Sequence, residues 1–166
     1  MYRDINDLFD DWKEESEFTL KIFGAITDAS LGLKIPGYDR TTGKVAWHIV
    51  QTLTEMGKAA GLFEYDDLAD KPVPAAIHEV IKAYSEKTKS ISNFIENKIT
   101  PESLFVVTEM YGEKWELRKM FYVLLKHQAH HRAQLTVLMR QAGLKVPGIY
   151  GPSKEEWAQY NMPPQE

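Results

Sequence analysis

Four long stretches of this chain repeat apolar residues at three- and four-residue steps, and no stretch of comparable length alternates apolar with polar positions as a half-buried strand would. Helices with one apolar stripe must bury those stripes against each other, which predicts an all-α fold. In the first stretch Ile5, Leu8, Phe9, Trp12, Thr19, Phe23 and Ile26 mark the stripe. Asp4, Asp7, Asp10 and Asp11 crowd its first turns, where the helix dipole favours anions. This helix is expected from about Ile5 to Ser30. A breaker-rich loop from Leu33 to Arg40 follows, and Thr41 or Thr42 then offers a capping oxygen to a second helix that reaches about Ala60 and stops at Gly61. Pro72 and Pro74 open a third helix, with Ile77, Ile81, Tyr84, Thr88, Ile91 and Ile95 as its stripe, ending before Thr100-Pro101. The segment from Glu102 to Gly112 carries no decisive period. A fourth helix is expected from about Lys114 to Ala142, with Gly143 as its C-cap and Pro147 barring continuation.

A chain of 166 residues that is 43% apolar can bury one sizeable core. With no internal repeat, low-complexity run or linker, residues 1–166 read as one domain, an antiparallel four-helix bundle with a 144–166 tail packed on the bundle or on a partner. The net charge of −4, from 24 acidic and 20 basic residues, lacks the basic surplus that phosphate binding rewards, so nucleic acid is not an expected partner. The absence of Cys excludes disulfides, a thiolate metal site and a Cys nucleophile together, leaving His or carboxylate to hold any metal. Residues Met1 to Asp7 are acidic where a signal peptide would be basic and then apolar, and no apolar run approaches the roughly 20 residues of a membrane span. The expectation is a cytoplasmic protein with no membrane contact.

Chemistry concentrates in the histidines. Of His48, His78, His127, His130 and His131, three fall within one five-residue window. On the fourth helix Leu117, Met120, Phe121, Leu124, Gln128, His131, Leu135 and Leu138 trace the core stripe, so His127 and His131 project toward the bundle. Residues four apart on a helix differ by only about 40° around the axis, which gives this pair the geometry of two ligands to one metal. On the second helix Val45, His48, Ile49, Thr52 and Met56 form the equivalent stripe, so a third imidazole can converge on the pair. Spacing alone leaves hydrogen-bonded core histidines and metal ligands both open. His78 has no companion and reads as a structural residue.

The string His127-Gln-Ala-His-His-Arg-Ala-Gln-Leu135 strongly resembles the H-x-x-H-H-R-G-Q signature of the DinB (DinB/YfiT-like) family, and Thr42-Gly-Lys-Val-Ala-Trp-His48 resembles that family's first ligand motif. Ala133 departs from the usual Gly, one small residue for another. The resemblance implies an antiparallel four-helix bundle with one divalent ion held by His48, His127 and His131. Zinc or nickel is the first expectation for that ion, and iron, manganese or cobalt also suit three imidazoles. It further implies two activity classes: a transferase that uses a low-molecular-weight thiol such as bacillithiol, and a metal-dependent hydrolase. A non-catalytic, metal-stabilised binding module is the third reading. Homodimers are the family habit, and Ile149, Tyr150, Pro152 and Trp157 give the tail apolar surface to support one.

Competing motifs fail on spacing. Gly37 to Gly43-Lys44 has five residues between the glycines where a phosphate loop has four, and Val45 stands where Ser or Thr should meet magnesium. Leu124 occupies the Glu position of a di-iron bundle's Glu-x-x-His. Gln128 stands where a zincin's general-base Glu would be. Three neutral ligands would leave a divalent ion its full charge and an open position, able to lower the pKa of a small-molecule substrate's thiol or of water. Thiol transfer needs little else from the protein, whereas hydrolysis normally recruits a base; Glu15 and Glu55 are the only candidates. Gln134, one turn beyond His131 and nearly in line with His127, is a candidate to orient a ligand or touch substrate.

Overall fold

Each stretch with the 3.6-residue period is a helix in the computed structural model, which describes residues 1–164. The helices are α1 (Ile5–Gly24), α2 (Thr42–Ala59), α3 (Ile77–Lys98) and α4 (Leu117–Gln141). Their ends follow side-chain chemistry. The Asp4 carboxylate accepts from the Asn6 amide at 2.7 Å to start α1, and the Thr41 hydroxyl accepts from the Lys44 amide at 3.2 Å to start α2. Gly61 and Gly143, at φ of 79° and 69°, close α2 and α4 in the left-handed region open to glycine.

Two ends differ from expectation. Helix α1 stops at Gly24 and not near Ser30, because Thr27 turns extended and the Ser30 hydroxyl takes its carbonyl at 2.7 Å, offering the backbone an alternative to the helix. Helix α3 begins at Ile77, beyond both prolines. Its N-cap, Ala76, has no side-chain acceptor, and the Asp28 carboxylate supplies one by accepting from the Ile77 amide at 2.7 Å.

The third difference is a hairpin. Strands β1 (Val107–Met110) and β2 (Glu113–Glu116) pair antiparallel around Tyr111-Gly112, both at positive φ as a tight hairpin turn requires. Lys114 is therefore in a strand, and α4 starts three residues later. The hairpin is pinned to the far end of α2, where the Thr108 hydroxyl donates to the Ala59 carbonyl at 2.9 Å and the Tyr111 hydroxyl to Glu55 at 3.0 Å.

Helix α1 packs on α3 and α4, and α2 packs on the same two. Neighbours run antiparallel: Trp12 of α1 meets Thr88 of α3 while Phe23 meets Tyr84, and Glu15 of α1 meets Arg132 of α4 while Thr19 meets Gln128. The result is the antiparallel four-helix bundle that the periodicity implies. Trp12, Phe23, Tyr84 and Phe121 fill its centre, with Trp12 and Phe121 edge-to-face at 6.2 Å. The tail folds back along α1 and α4. Lys21 donates to the Gly148 carbonyl at 2.7 Å, and Arg140 pairs with Glu155. Among the described residues no helix is long and apolar enough to cross a membrane.

Candidate metal centre

The antiparallel contact of α2 with α4 brings the start of one helix against the late middle of the other, and the three inward histidines meet there. Ring centroids of His48 lie 5.0 Å from His127 and 4.6 Å from His131, and those of His127 and His131 are 4.3 Å apart. Nitrogens of His127 and His131 face each other, Nε2 to Nε2, at 3.0 Å. One ligand nitrogen from each of the three rings lies within 4.8 Å of the others, with no Asp or Glu in the group. Nitrogens bound at about 2.1 Å around one tetrahedral ion sit about 3.4 Å apart, so this donor set fits a single divalent cation.

Burial disfavours the imidazolium forms. It lowers the pKa of His48 and of His127 to about 4, with further lowering from the neighbouring His131 and from the Arg40 guanidinium. His131, only 5% exposed, is also lowered by burial, against a raising effect of its bond to Gln134. All three rings are therefore neutral near pH 7, with lone pairs free to bind a metal. The buried Nδ1 of His127 has no hydrogen-bond partner among the described residues.

Gln134 sits beside the cluster. Its carbonyl Oε1 lies 2.7 Å from His131 Nδ1 and 3.4 Å from the Tyr38 hydroxyl. Because a carbonyl oxygen only accepts, Nδ1 of His131 carries the proton and Nε2 keeps the lone pair that faces the cluster. The Gln134 amide nitrogen reaches His130 Nε2 at 3.0 Å, placing the exposed His130 in an outer layer. His78 is exposed at the start of α3 and outside the cluster.

Neither candidate base is in the site. Glu15 pairs with Arg132 across α1 and α4, and Glu55 receives the Tyr111 hydroxyl at the hairpin. Gln128 is fully buried and accepts from the Tyr84 hydroxyl at 2.5 Å, so it faces the core. Two residues escaped sequence reasoning. Tyr38 lies in the breaker-rich loop, where no period signals its direction. Arg132, 2% exposed, donates through Nη1 to the Glu15 carbonyl at 3.0 Å and the Thr19 hydroxyl at 2.9 Å, and through Nη2 to the Tyr150 hydroxyl at 2.6 Å. Its sequence signals were its place as the Arg of the His127–Gln134 signature and a cation within the apolar arc of α4, next to His131.

The model of the family described as DinB family matches residues 1–166. The chain belongs to the DinB family. It is 33% identical over 162 residues to the protein YrdA of Bacillus subtilis (strain 168), covering 98% of this chain and 97% of YrdA. A DinB-like protein of Bacillus cereus ATCC 10987, solved by crystallography, superposes with a TM-score of 0.84 at 35% identity, covering 90% of this chain and 100% of that one. The DinB-like protein YjoA of Bacillus subtilis shares the fold, with a TM-score of 0.68 at 16% identity over 86% of this chain and 97% of its own. The DinB signature thus coincides with the residues that converge here, His127 and His131, while its Arg132 holds the bundle together and its Gln134 orients a ring.

Proposed function

We propose that this DinB protein is a divalent-metal-dependent enzyme that transfers a low-molecular-weight thiol to an electrophilic small molecule, with His48, His127 and His131 as the metal ligands. The observation that carries this reading is the donor set: three neutral imidazoles from two helices, with no carboxylate among them and one ring oriented by Gln134. A divalent ion bound there, zinc or nickel before iron, manganese or cobalt, supplies Lewis acidity that lowers the pKa of a thiol or water near neutral pH. Gln134 holds the His131 tautomer, and the α2–α4 contact holds the three rings in register. Among the described residues no free base lies beside the cluster, which favours thiol transfer over hydrolysis, because both glutamates that could serve are engaged elsewhere. In the overall reaction the thiol sulfur forms a bond to the electrophilic carbon, the leaving group departs with the bonding pair, and the thiol proton goes to solvent.

The test is one assay in two arms. Metal-loaded protein is incubated with chlorodinitrobenzene and with p-nitrophenyl acetate, each with and without a panel of cellular thiols, using His127→Ala as the blank. Thiol-dependent and metal-dependent conjugation supports the transferase; ester turnover indifferent to thiol overturns it, and no turnover in either arm points to a binding module.

We also propose a homodimer of single-domain chains. Ala129, Ala133, Thr136, Ile149 and Tyr150 line a mainly apolar groove along α4 and the tail, and Tyr150 is 71% exposed.

A further inference from the structure

Resting on the reading of His48, His127 and His131 as metal ligands, we propose that Tyr38 is a positioning residue of that site, acting through Gln134, so that metal binding and closure of the 33–40 loop reinforce each other. The loop is built to present this side chain. Ile35-Pro36-Gly37-Tyr38 is a tight turn, with Pro at its second position, Gly37 at φ 78° at its third, and the Tyr38 amide donating to the Ile35 carbonyl at 2.9 Å. At the base the Thr42 amide donates to the Leu33 carbonyl and the Gly43 amide to the Leu31 carbonyl, each at 2.9 Å, and Thr41 caps α2. The loop is therefore fastened to the helix that carries His48, while its tip reaches Gln134 on α4, the helix that carries His127 and His131.

Among the described residues the Tyr38 hydroxyl makes the one hydrogen bond from this loop to α4, and no hydrogen bond joins α2 to α4 directly. Its acceptor is shared with the site. Gln134 Oε1 has two lone pairs: one takes the Nδ1 proton of His131 at 2.7 Å, and the other takes the Tyr38 hydroxyl at 3.4 Å. A ring held by a metal holds Gln134 still, and Tyr38 then has a stationary acceptor. A ring free to turn takes that acceptor with it and leaves the hydroxyl to water. Coupling of this kind is reciprocal, so the factor by which the metal favours the closed loop is the factor by which the closed loop favours the metal. One long, neutral hydrogen bond sets that factor at about three- to fivefold.

The experiment is limited trypsin digestion of the full chain, apo and with a single equivalent of zinc, for the wild type, Y38F and D39N, with zinc affinity measured by competition against a chromophoric chelator. Trypsin cuts after Lys34 and Arg40, both exposed in the loop, and at low protease its rate there follows the population of the open loop. Exposed Lys154 in the tail is the reference site. Y38F removes the hydroxyl and keeps the ring that packs on the core, whereas D39N removes only the exposed pair with Lys34. Zinc should slow cleavage of the wild-type loop about three- to fivefold without slowing cleavage after Lys154. Y38F should lose that slowing and bind zinc more weakly by the same factor, and D39N should keep both. Loop cleavage indifferent to zinc in a wild type that binds it, equal slowing after Lys154, or wild-type slowing and affinity in Y38F would overturn the coupling and leave the metal site standing. A wild type that binds no zinc would remove the metal site and the coupling with it.

Discussion

Replacing Gln134 with Leu isolates the support that the cluster receives from outside itself. The side chain keeps its approximate volume and loses the 2.7 Å acceptor for His131 Nδ1, the 3.4 Å contact with Tyr38 and the 3.0 Å contact with His130. His131 is then free to exchange tautomers and to rotate, so binding metal must fix what Gln134 previously held. Loss of one such outer partner lowers metal affinity by about 10- to 100-fold, or about 1.4 to 2.8 kcal/mol. Gln134 and Tyr38 are half-buried and His130 is exposed, so apart from the bond to buried His131 little is lost, and the apo protein should lose little stability. The assay is competition for zinc against a chromophoric chelator, with the apo melting temperature measured in parallel. Gln134→Glu should retain or exceed wild-type affinity, because a carboxylate accepts the same proton and raises the basicity of the ring. Zinc affinity of Gln134→Leu within about threefold of wild type would refute the argument, since the ring would then be held by packing alone.

Three further outcomes follow from the structure. Because burial places the folded-state pKa of His48 and His127 near 4 and the unfolded rings titrate at 6.5, the unfolded chain binds protons first, and apo-protein stability should fall as pH drops from 6.5 toward 4; a melting profile flat across that window, or one no flatter in His48→Gln, contradicts this. Glu15→Ala leaves the Arg132 guanidinium buried without its carboxylate and should cost about 3 kcal/mol in urea unfolding, more than Arg132→Met, whose abandoned glutamate can still reach the Tyr150 hydroxyl; a cost below about 1 kcal/mol would show that the carbonyl and hydroxyl partners suffice. Light scattering at high micromolar concentration should give twice the chain mass, and monomeric mass there would dispose of the proposed dimer.

The helices were legible because apolar periodicity is a local property, and the His127–His131 pair because four-residue spacing fixes direction on a helix. His48 was legible for the same reason, although its meeting with the other two needed the pairing of α2 with α4. What stayed hidden was short or long-range. Each hairpin strand is four residues, too few for alternation to declare itself, and the turn is Tyr111-Gly112 where Asn-Gly would have been a clearer signal. The early end of α1 depends on Thr27 and Ser30 exchanging backbone and side-chain bonds, and the start of α3 on Asp28, 49 residues earlier. Glu15 looked like a free acid because its partner lies 117 residues away. Tyr38 reaches Gln134 across 96 residues from a loop without a period.

The claim that three histidines form one metal site is tested most directly by elemental analysis of wild type and His131→Ala, both purified without a histidine tag. One equivalent of a divalent metal is expected per wild-type chain and none in the variant, with His78→Ala indistinguishable from wild type. A full equivalent retained by His131→Ala would contradict it.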